Sequence, residues 1–223
     1  MLRPQIKTIT GNLNCNVQIT IEPFRRGLGR TVGWALRRTL LSSIVGVAVT
    51  QVMIEEMSHQ FQPVYGVTED ISQIISNIRK IIFWTSESVT TAVLIKNTPG
   101  PFQAKDIVVS KRCKIINPDQ IIGHLEDGRI SMRFKIERGW GFIPKNKTAP
   151  SNSNTIILDA SFTPVKRVSY TTREIRTETN LDAEKLILEI ETNGATSPLE
   201  VLRQSVKIMR TQLSFEGSEN YEA

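Results

Sequence analysis

The chain has 223 residues, of which 39% are hydrophobic and 6% aromatic, with 28 basic and 22 acidic side chains. That composition excludes disorder, collagen and fibre, and a chain of this length folds without staples as one large domain or two modest ones. No apolar run approaches the roughly 18 residues of a membrane-spanning helix, and the start, Met1 to Lys7, lacks the apolar core and cleavage site of a secretory signal. The two cysteines, Cys15 and Cys113, belong to no Cys-x-x-Cys pair. No disulfide framework or cysteine zinc site is therefore expected, and a reducing, intracellular compartment is.

The charge is unevenly placed. Residues 1–45 carry seven basic side chains (Arg3, Lys7, Arg25, Arg26, Arg30, Arg37 and Arg38) against one acid, Glu22, which equals the whole net charge of +6. A basic region of this kind points to an anionic partner, either nucleic acid or an acidic protein surface.

In chain order, Val17 to Ile21 alternates apolar and polar residues and predicts a strand, ended by Pro23. Arg25 to Thr31 reads as a turn with two glycines. A helix follows over Val32 to Ser43, with Val32, Leu36, Leu40 and Ser43 on one stripe. Val47 to Ile54 reads as a buried strand. The isoleucines at 71, 74, 75, 78 and 82 predict a second helix over Glu69 to Ile82 with Thr68 as its cap.

Val89 to Lys96 is the next strand, and Asn97 to Pro101 is loop. Arg129 to Glu137 alternates cleanly, and Asp127-Gly128 before it predicts a hairpin to a preceding strand. Lys145 to Asn154 reads as a polar loop. Thr155 to Phe162, Val165 to Tyr170 and Leu186 to Ile190 read as strands. The last helix has Ser197 at its cap, Pro198 at its first position and Glu200 at its third, the pattern of a capping box. Its apolar residues Leu199, Leu202, Val206, Met209 and Leu213 step by three and four. That heptad spacing suits packing on another helix, and a helix on its own sheet fits it equally. Phe215 to Ala223 reads as a frayed end. Helices and strands alternate without a βαβ rhythm, so the fold class is α+β.

No catalytic constellation emerges. Gly27-Leu28-Gly29 lacks the third glycine of a dinucleotide fingerprint and the Gly-Lys-Ser/Thr of a phosphate loop. Gly139-Trp140-Gly141 reads as a close backbone approach or bulge. His59 and His124 have no second ligand at metal spacing. Glu55 and Glu56 point to opposite faces if they lie on a strand. Glu69-Asp70 suits a helix N-terminus. Arg37 and Arg38 are either a solvated face or a pair aimed at carboxylates or phosphates of a partner.

Taken together, several blocks resemble the N-terminal domain of the bacterial or plastid RNA polymerase alpha subunit. The longest runs from Ile21-Glu22-Pro23-Phe24-Arg25-Arg26-Gly27-Leu28-Gly29-Arg30 through Thr31-Val32-Gly33-Trp34-Ala35-Leu36-Arg37-Arg38-Thr39-Leu40-Leu41-Ser42-Ser43. Gly66 to Ile71, Gly123 to Leu125, Ile130 to Arg133, Glu137 to Pro144, Leu158 to Val165 and Glu189 to Gly194 continue the likeness almost end to end.

The resemblance implies a dimerisation domain from residues 1–45 plus 164–223 and an inserted β-rich domain over 46–163. It implies an alpha subunit that scaffolds the beta and beta-prime subunits of DNA-dependent RNA polymerase, with omega and sigma in the complex. The nucleotidyltransferase activity then belongs to the whole complex. The chain itself carries no catalytic residue, cofactor or metal, and the active-site magnesium sits on beta-prime. By position, Arg37, Arg38, Ser42, Ser43, Glu69, Asp70, Arg138 and Trp140 match large-subunit contacts. The region around Leu186 to Asn193 matches a beta-prime contact. The dimer seam is expected at Trp34, Leu36, Leu40, Leu199, Leu202, Val206, Met209 and Leu213.

The family commonly has His and Asn where this chain has Arg30 and Trp34, so a heterodimer with a different alpha stands beside the homodimer. The polar loop also departs from the family's more acidic one. Nothing in the sequence resembles the family's C-terminal DNA-binding domain, so DNA is expected to be met only through the assembled polymerase. The expected location is the cytoplasm, at the nucleoid, or the plastid stroma, with no membrane partner. A free basic module binding nucleic acid is the alternative function.

Overall fold

The computed structural model of the protein describes residues 3–56, 64–144, 154–177 and 180–214. His59, the frayed end at 215–223 and all of the polar loop except Asn154 lie outside those residues. In chain order the first elements are β1 (Gln5–Asn12), β2 (Asn16–Arg25), α1 (Leu28–Ser42), β3 (Val45–Ile54), α2 (Ile71–Ile78), β4 (Phe83–Thr85), β5 (Val89–Lys96), β6 (Gly100–Gln103) and β7 (Ile107–Val108). There follow β8 (Cys113–Ile115), β9 (Ile121–Leu125), β10 (Ile130–Trp140), β11 (Phe142–Ile143), β12 (Thr155–Ile157), β13 (Ala160–Ser161), β14 (Val165–Thr177), β15 (Asn180–Thr192) and α3 (Pro198–Leu213). The fold is α+β, mostly strands, with three α-helices among the described residues. None of these helices is long and apolar enough to cross a membrane.

The chain divides into two compact units, one from Met1–Ile44 with Thr163–Ala223 and one from Val45–Phe162. The first unit is an antiparallel sheet ordered β1-β2-β15-β14. Alternation along the strands sends Val17, Ile19, Leu186, Leu188, Ile190 and Val168 to one face. There they pack with Leu36 and Leu40 of α1 and Val201 and Leu202 of α3. Each such buried aliphatic side chain contributes about 1.5–3 kcal/mol. The opposite face is polar. Across all four strands, Thr10 donates to Gln18 (3.4 Å), Gln18 to Glu189 (3.2 Å) and Ser169 to the second Glu189 oxygen (2.8 Å).

The second unit has a five-stranded sheet, β12-β3-β10-β5-β7, and three two-stranded ones, β11-β13, β4-β8 and β6-β9. Ile130, Met132, Phe134 and Ile136 of β10 all turn into its core, where Ile71, Ile74 and Ile78 of α2 are also buried.

Several expectations need correction. β2 does not stop at Pro23 but runs on to Arg25. The pairing with β15 shifts register between Glu184 and Leu186, and β1 pairs no further along than Glu22. Pro23 therefore sits in a bulge where no ladder requires its missing N–H. β1 itself has no counterpart in the sequence reading. It is a fully exposed edge strand, so no burial imposes an alternating pattern on it.

Helix α2 is shorter than predicted and is capped by Asp70, whose carboxylate accepts from the Gln73 N–H at 2.7 Å. Thr68 instead donates to Glu126 at 3.1 Å. At the other end the Asn117 amide takes over the backbone, donating to Lys80 O (2.9 Å) and accepting from Ile82 N–H (2.8 Å). Those bonds hold residues 80–82 off the helix.

The turn at Asp127-Gly128 exists, with Gly128 at φ 85°, but it does not make a hairpin. β9 pairs with β6, while β10 pairs with β3 and β5. The strand expected over 155–162 breaks at Leu158-Asp159 into β12 and β13, where Leu158 N–H donates to Thr50 O and Asp159 pairs with Arg79 at 3.2 Å. β14 and β15 are each 13 residues long, well beyond their apolar cores. At α3 the Ser197 side chain accepts from Glu200 N–H at 3.4 Å. The Glu200 carboxylate turns forward to Gln204 (3.2 Å) and Arg203 (3.8 Å), so the capping box forms only its first half.

Candidate functional site

Helix α1 begins at Leu28, four residues before the predicted start, because glycines rather than large apolar residues make the first half of its inner face. Its buried residues are Gly29, Gly33, Leu36 and Leu40. A Cβ on Gly33 would meet the Tyr170 ring at 2.5 Å and Leu186 at 2.8 Å, so only glycine allows the helix to lie this close to the sheet. Gly27 caps the helix in the left-handed region (φ 83°), and its N–H donates to Glu184 at 2.7 Å. Gly29 leaves room for the other Glu184 oxygen, which is buried and has no hydrogen-bond partner among the described residues. Gly27-Leu28-Gly29 thus seats a helix on a carboxylate of β15.

The outer face of α1 carries Arg30, Trp34, Arg37, Arg38, Leu41 and Ser42, all exposed. The Arg38 guanidinium lies over the Trp34 ring at 5.6 Å from its centre. Ser42 donates to the Arg38 carbonyl at 2.8 Å and shares a hydrogen bond with Ser43 at 3.0 Å. Of the expected contacts on this helix, Arg37, Arg38 and Ser42 are therefore accessible and Ser43 is half-buried. The expected seam residues Leu36 and Leu40 are not accessible, since both belong to the unit's own core.

Helix α3 corrects the seam in the same way. Its buried residues are Pro198, Val201, Leu202 and Ser205. Leu202 therefore packs inward. The heptad stripe read from the sequence merges two faces, because Val201, Ser205 and Ile208 draw the inner face onto a 3.6-residue period. Leu199 and Met209 are half-buried, and Val206 (50% exposed) and Leu213 (66%) point outward. Leu199, Val206 and Leu213 recur every seven residues on that outer side.

In the second unit, Glu69 and Asp70 do different jobs. Asp70 is the α2 cap, and Glu69 lies just outside the helix. Its carboxylate accepts from His124 N–H at 2.7 Å and bonds the His124 ring Nδ1 at 2.6 Å. A Cβ on Gly123 would come within 2.9 Å of the same carboxylate, so glycine is what admits it. Burial pushes the Glu69 carboxyl upward, but the His124 hydrogen bonds outweigh it and hold the group below its ordinary range. In the sequence His124 stands without a second ligand at metal spacing and inside the Gly123 to Leu125 block. The two residues stand 55 apart in the chain, and no local signal joins them.

Arg138 is exposed and donates to Ser86 O at 3.2 Å. Trp140 is 68% exposed at the end of β10, with exposed Phe142 and Ile143 following across Gly141. Gly139 lets the Phe162 ring approach within 3.1 Å of where a Cβ would stand, the close approach expected there. Exposed Phe142 and Ile143 lie in the same Glu137 to Pro144 stretch that continues the family likeness.

The glutamates at 55 and 56 lie just past β3 and are separately engaged, Glu55 with Arg133 at 3.3 Å and Glu56 with Ser131 N–H at 3.0 Å. Among the described residues no three His, Cys, Asp or Glu side chains are grouped to hold a metal. A cleft of about 310 Å³ beside β3 is lined by Thr50, Gln51, Glu137 and Ile143 among others. Its one acid, Glu137, is bound by Lys135 at 2.9 Å. What the surface offers is accessible arginines and apolar side chains on α1, α3 and the end of β10, an arrangement suited to protein contact.

Residues 52–163, half of the chain, match the family model of the RNA polymerase Rpb3/RpoA insert domain. The match spans most of the second unit, including Glu69, Asp70, Arg138 and Trp140, and places the chain within DNA-directed RNA polymerase and transcription. The chain belongs to the RNA polymerase Rpb3/RpoA insert domain family and is an RNA polymerase alpha-type subunit.

Proposed function

We propose that this chain is the assembly subunit of its polymerase, non-catalytic itself, and that it pairs with a second alpha and carries the beta and beta-prime subunits. The first unit, 1–44 with 163–223, serves as the pairing domain, and the second as the inserted domain. The observation that carries the reading is the family match, joined to a first unit whose helices expose partner-ready side chains. Val206 and Leu213, flanked by Leu199 and Met209, form the seam between two alphas. Arg37, Arg38 and Ser42 meet beta, as do Glu69, Asp70, Arg138 and Trp140 in the second unit. The stretch from Leu186 of β15 to Asn193 just past it faces beta-prime in the other copy through its half-buried Ile187, Glu189, Glu191 and Asn193.

This reading has the physics of an isologous pair on an asymmetric partner: the same surface is used differently by each copy. No cofactor or metal is assigned to the chain, and the catalytic magnesium belongs to beta-prime. DNA is met only through the assembled enzyme, in the cytoplasm or plastid stroma.

The test is co-expression of the chain with its own beta and beta-prime subunits, followed by native mass spectrometry. Two alpha chains with both large subunits are expected, and Arg38→Ala is expected to lose beta while keeping the alpha pair. A free alpha that binds duplex DNA with steep salt dependence, and no large subunit, would overturn the reading in favour of a nucleic-acid module.

A further inference from the structure

On α1 the 100° step of the helix sets Trp34, Arg38 and Leu41 on one outer stripe, with Arg30 and Arg37 beside it. The inner face, Gly29, Gly33, Leu36 and Leu40, lies on the opposite side. The helix carries no acid, and among the described residues Arg30, Arg37 and Arg38 make no ion pair. The Arg38 guanidinium rests instead on the Trp34 ring at 5.6 Å.

We infer that Trp34 belongs to the large-subunit surface rather than to the dimer seam, as the positioning residue that presents the Arg38 guanidinium to a carboxylate on the beta subunit. This rests on the reading of α1 as the beta contact. Two arguments carry it. In a two-fold pair, the same patch meets itself. Placing the Trp34 stripe at that seam would set Arg37 and Arg38 of one copy against those of the other, with no acid on the helix to compensate, and like charges so placed oppose association. An apolar alternative for the seam exists on α3, where Val206 and Leu213 are exposed.

The second argument is preorganisation. A free arginine side chain gives up rotamer freedom when it forms a bidentate pair. One already held over an indole, one helical turn away, has surrendered part of it beforehand. A cation–π contact uses the charge of the guanidinium rather than its N–H donors, which remain available to a carboxylate. The matching partner surface is a carboxylate bordered by apolar side chains, which cover the exposed indole and Leu41.

The experiment uses the full chain co-expressed with its beta subunit. It measures alpha–beta affinity by titration and alpha–alpha pairing by sedimentation for Trp34→Ala, Trp34→Phe, Arg38→Ala and the Trp34→Ala/Arg38→Ala double variant. A surface cation–π pair predicts that Trp34→Ala weakens beta binding by about 2–5-fold with pairing unchanged. Trp34→Phe is expected to recover most of the loss, because an aromatic face remains. In the double variant the Trp34 change adds nothing, since there is no guanidinium left to position.

A shift toward monomer with beta affinity intact would place Trp34 on the seam and overturn the inference. Additive losses in the double variant would overturn the positioning role. If Arg38→Ala alone leaves beta binding intact, the underlying reading of α1 fails, and that outcome is distinguishable because it does not involve Trp34.

Discussion

Helices α1 and α3 lie on the same face of the same sheet, yet they reach it by different means and present different chemistry outward. Helix α1 uses Gly29 and Gly33 to settle against β14 and β15, and then Leu36 and Leu40 to fill the core. Helix α3 uses Val201 and Leu202 and a buried Ser205, whose hydroxyl donates back to Leu202 O at 2.8 Å. Outward, α1 shows arginines around a tryptophan, while α3 shows Val206 and Leu213 beside Arg203 and Arg210. Inner faces set stability, and outer faces set which partner is met. A charged, aromatic face suits an asymmetric partner of opposite charge. An apolar heptad face suits a copy of itself.

The largest expected effects come from the inner faces. Leu40→Ala and Leu202→Ala each cost about 2–5 kcal/mol in denaturant unfolding of the chain, because both side chains are buried in the first unit's core. Leu202→Asp is expected to unfold that unit rather than to separate an intact pair, which a comparison of circular dichroism with sedimentation distinguishes. Val206→Asp is expected to do the reverse, keeping the fold while the pair falls apart.

Gly33→Ala tests the close seating of α1 itself. Overpacking against Tyr170 and Leu186 costs about 1–3 kcal/mol, more than the about 1 kcal/mol regained from alanine's helix propensity. A change in the other direction at the half-buried Ala35, Ala35→Gly, costs chiefly that propensity, and the pair of thermal melts separates the two effects.

Acid gives a way to perturb the second unit through Glu69. The Glu69 carboxyl is pushed up by burial but pulled further down by its His124 hydrogen bonds, so its folded pKa lies below the ordinary 4.5. A depressed carboxyl contributes stability above the unfolded value and loses it as pH falls through the folded one. Stability is therefore expected to decline as pH drops below about 4.5. Glu69→Gln, which forfeits about 1 kcal/mol at neutral pH by weakening a charged hydrogen bond, should flatten that decline in melts taken across the acid range.

The smallest expected change is in Val206→Ala. It should alter the stability of the isolated chain by no more than about 0.5 kcal/mol, as exposed positions do, and register only in the dimer dissociation constant.

The sequence made the regular elements with one buried face legible. β5 spans Val89–Lys96 as expected, and β10 turns Ile130, Met132, Phe134 and Ile136 inward together, as its alternation predicts. The Ser197 cap and Pro198 start of α3 were also readable, since caps are local chemistry. What was not readable lacked a local signature. β1 has no buried residue, and the outer halves of β14 and β15 are polar, held by their antiparallel ladder rather than by a core. The buried face of α1 begins with glycines, which carry no hydrophobic signal at all.

By itself, then, the sequence determined the fold class, the family, the basic character of the first 45 residues and the positions of the capped and alternating elements. Each follows from short-range periodicity, from side-chain chemistry at a terminus, or from long ordered blocks. The tertiary structure alone decided which apolar residues are core and which are surface. A stripe of leucines and valines is the same string of letters whether it faces a sheet or a partner. Only the packing of Val201, Leu202 and Ser205 onto the first unit's sheet turned Val206 and Leu213 outward. Only the left-handed turn at Gly27, the approach of the Glu184 carboxylate to Gly29 and that of the Glu69 carboxylate to Gly123 explain why those positions are glycine.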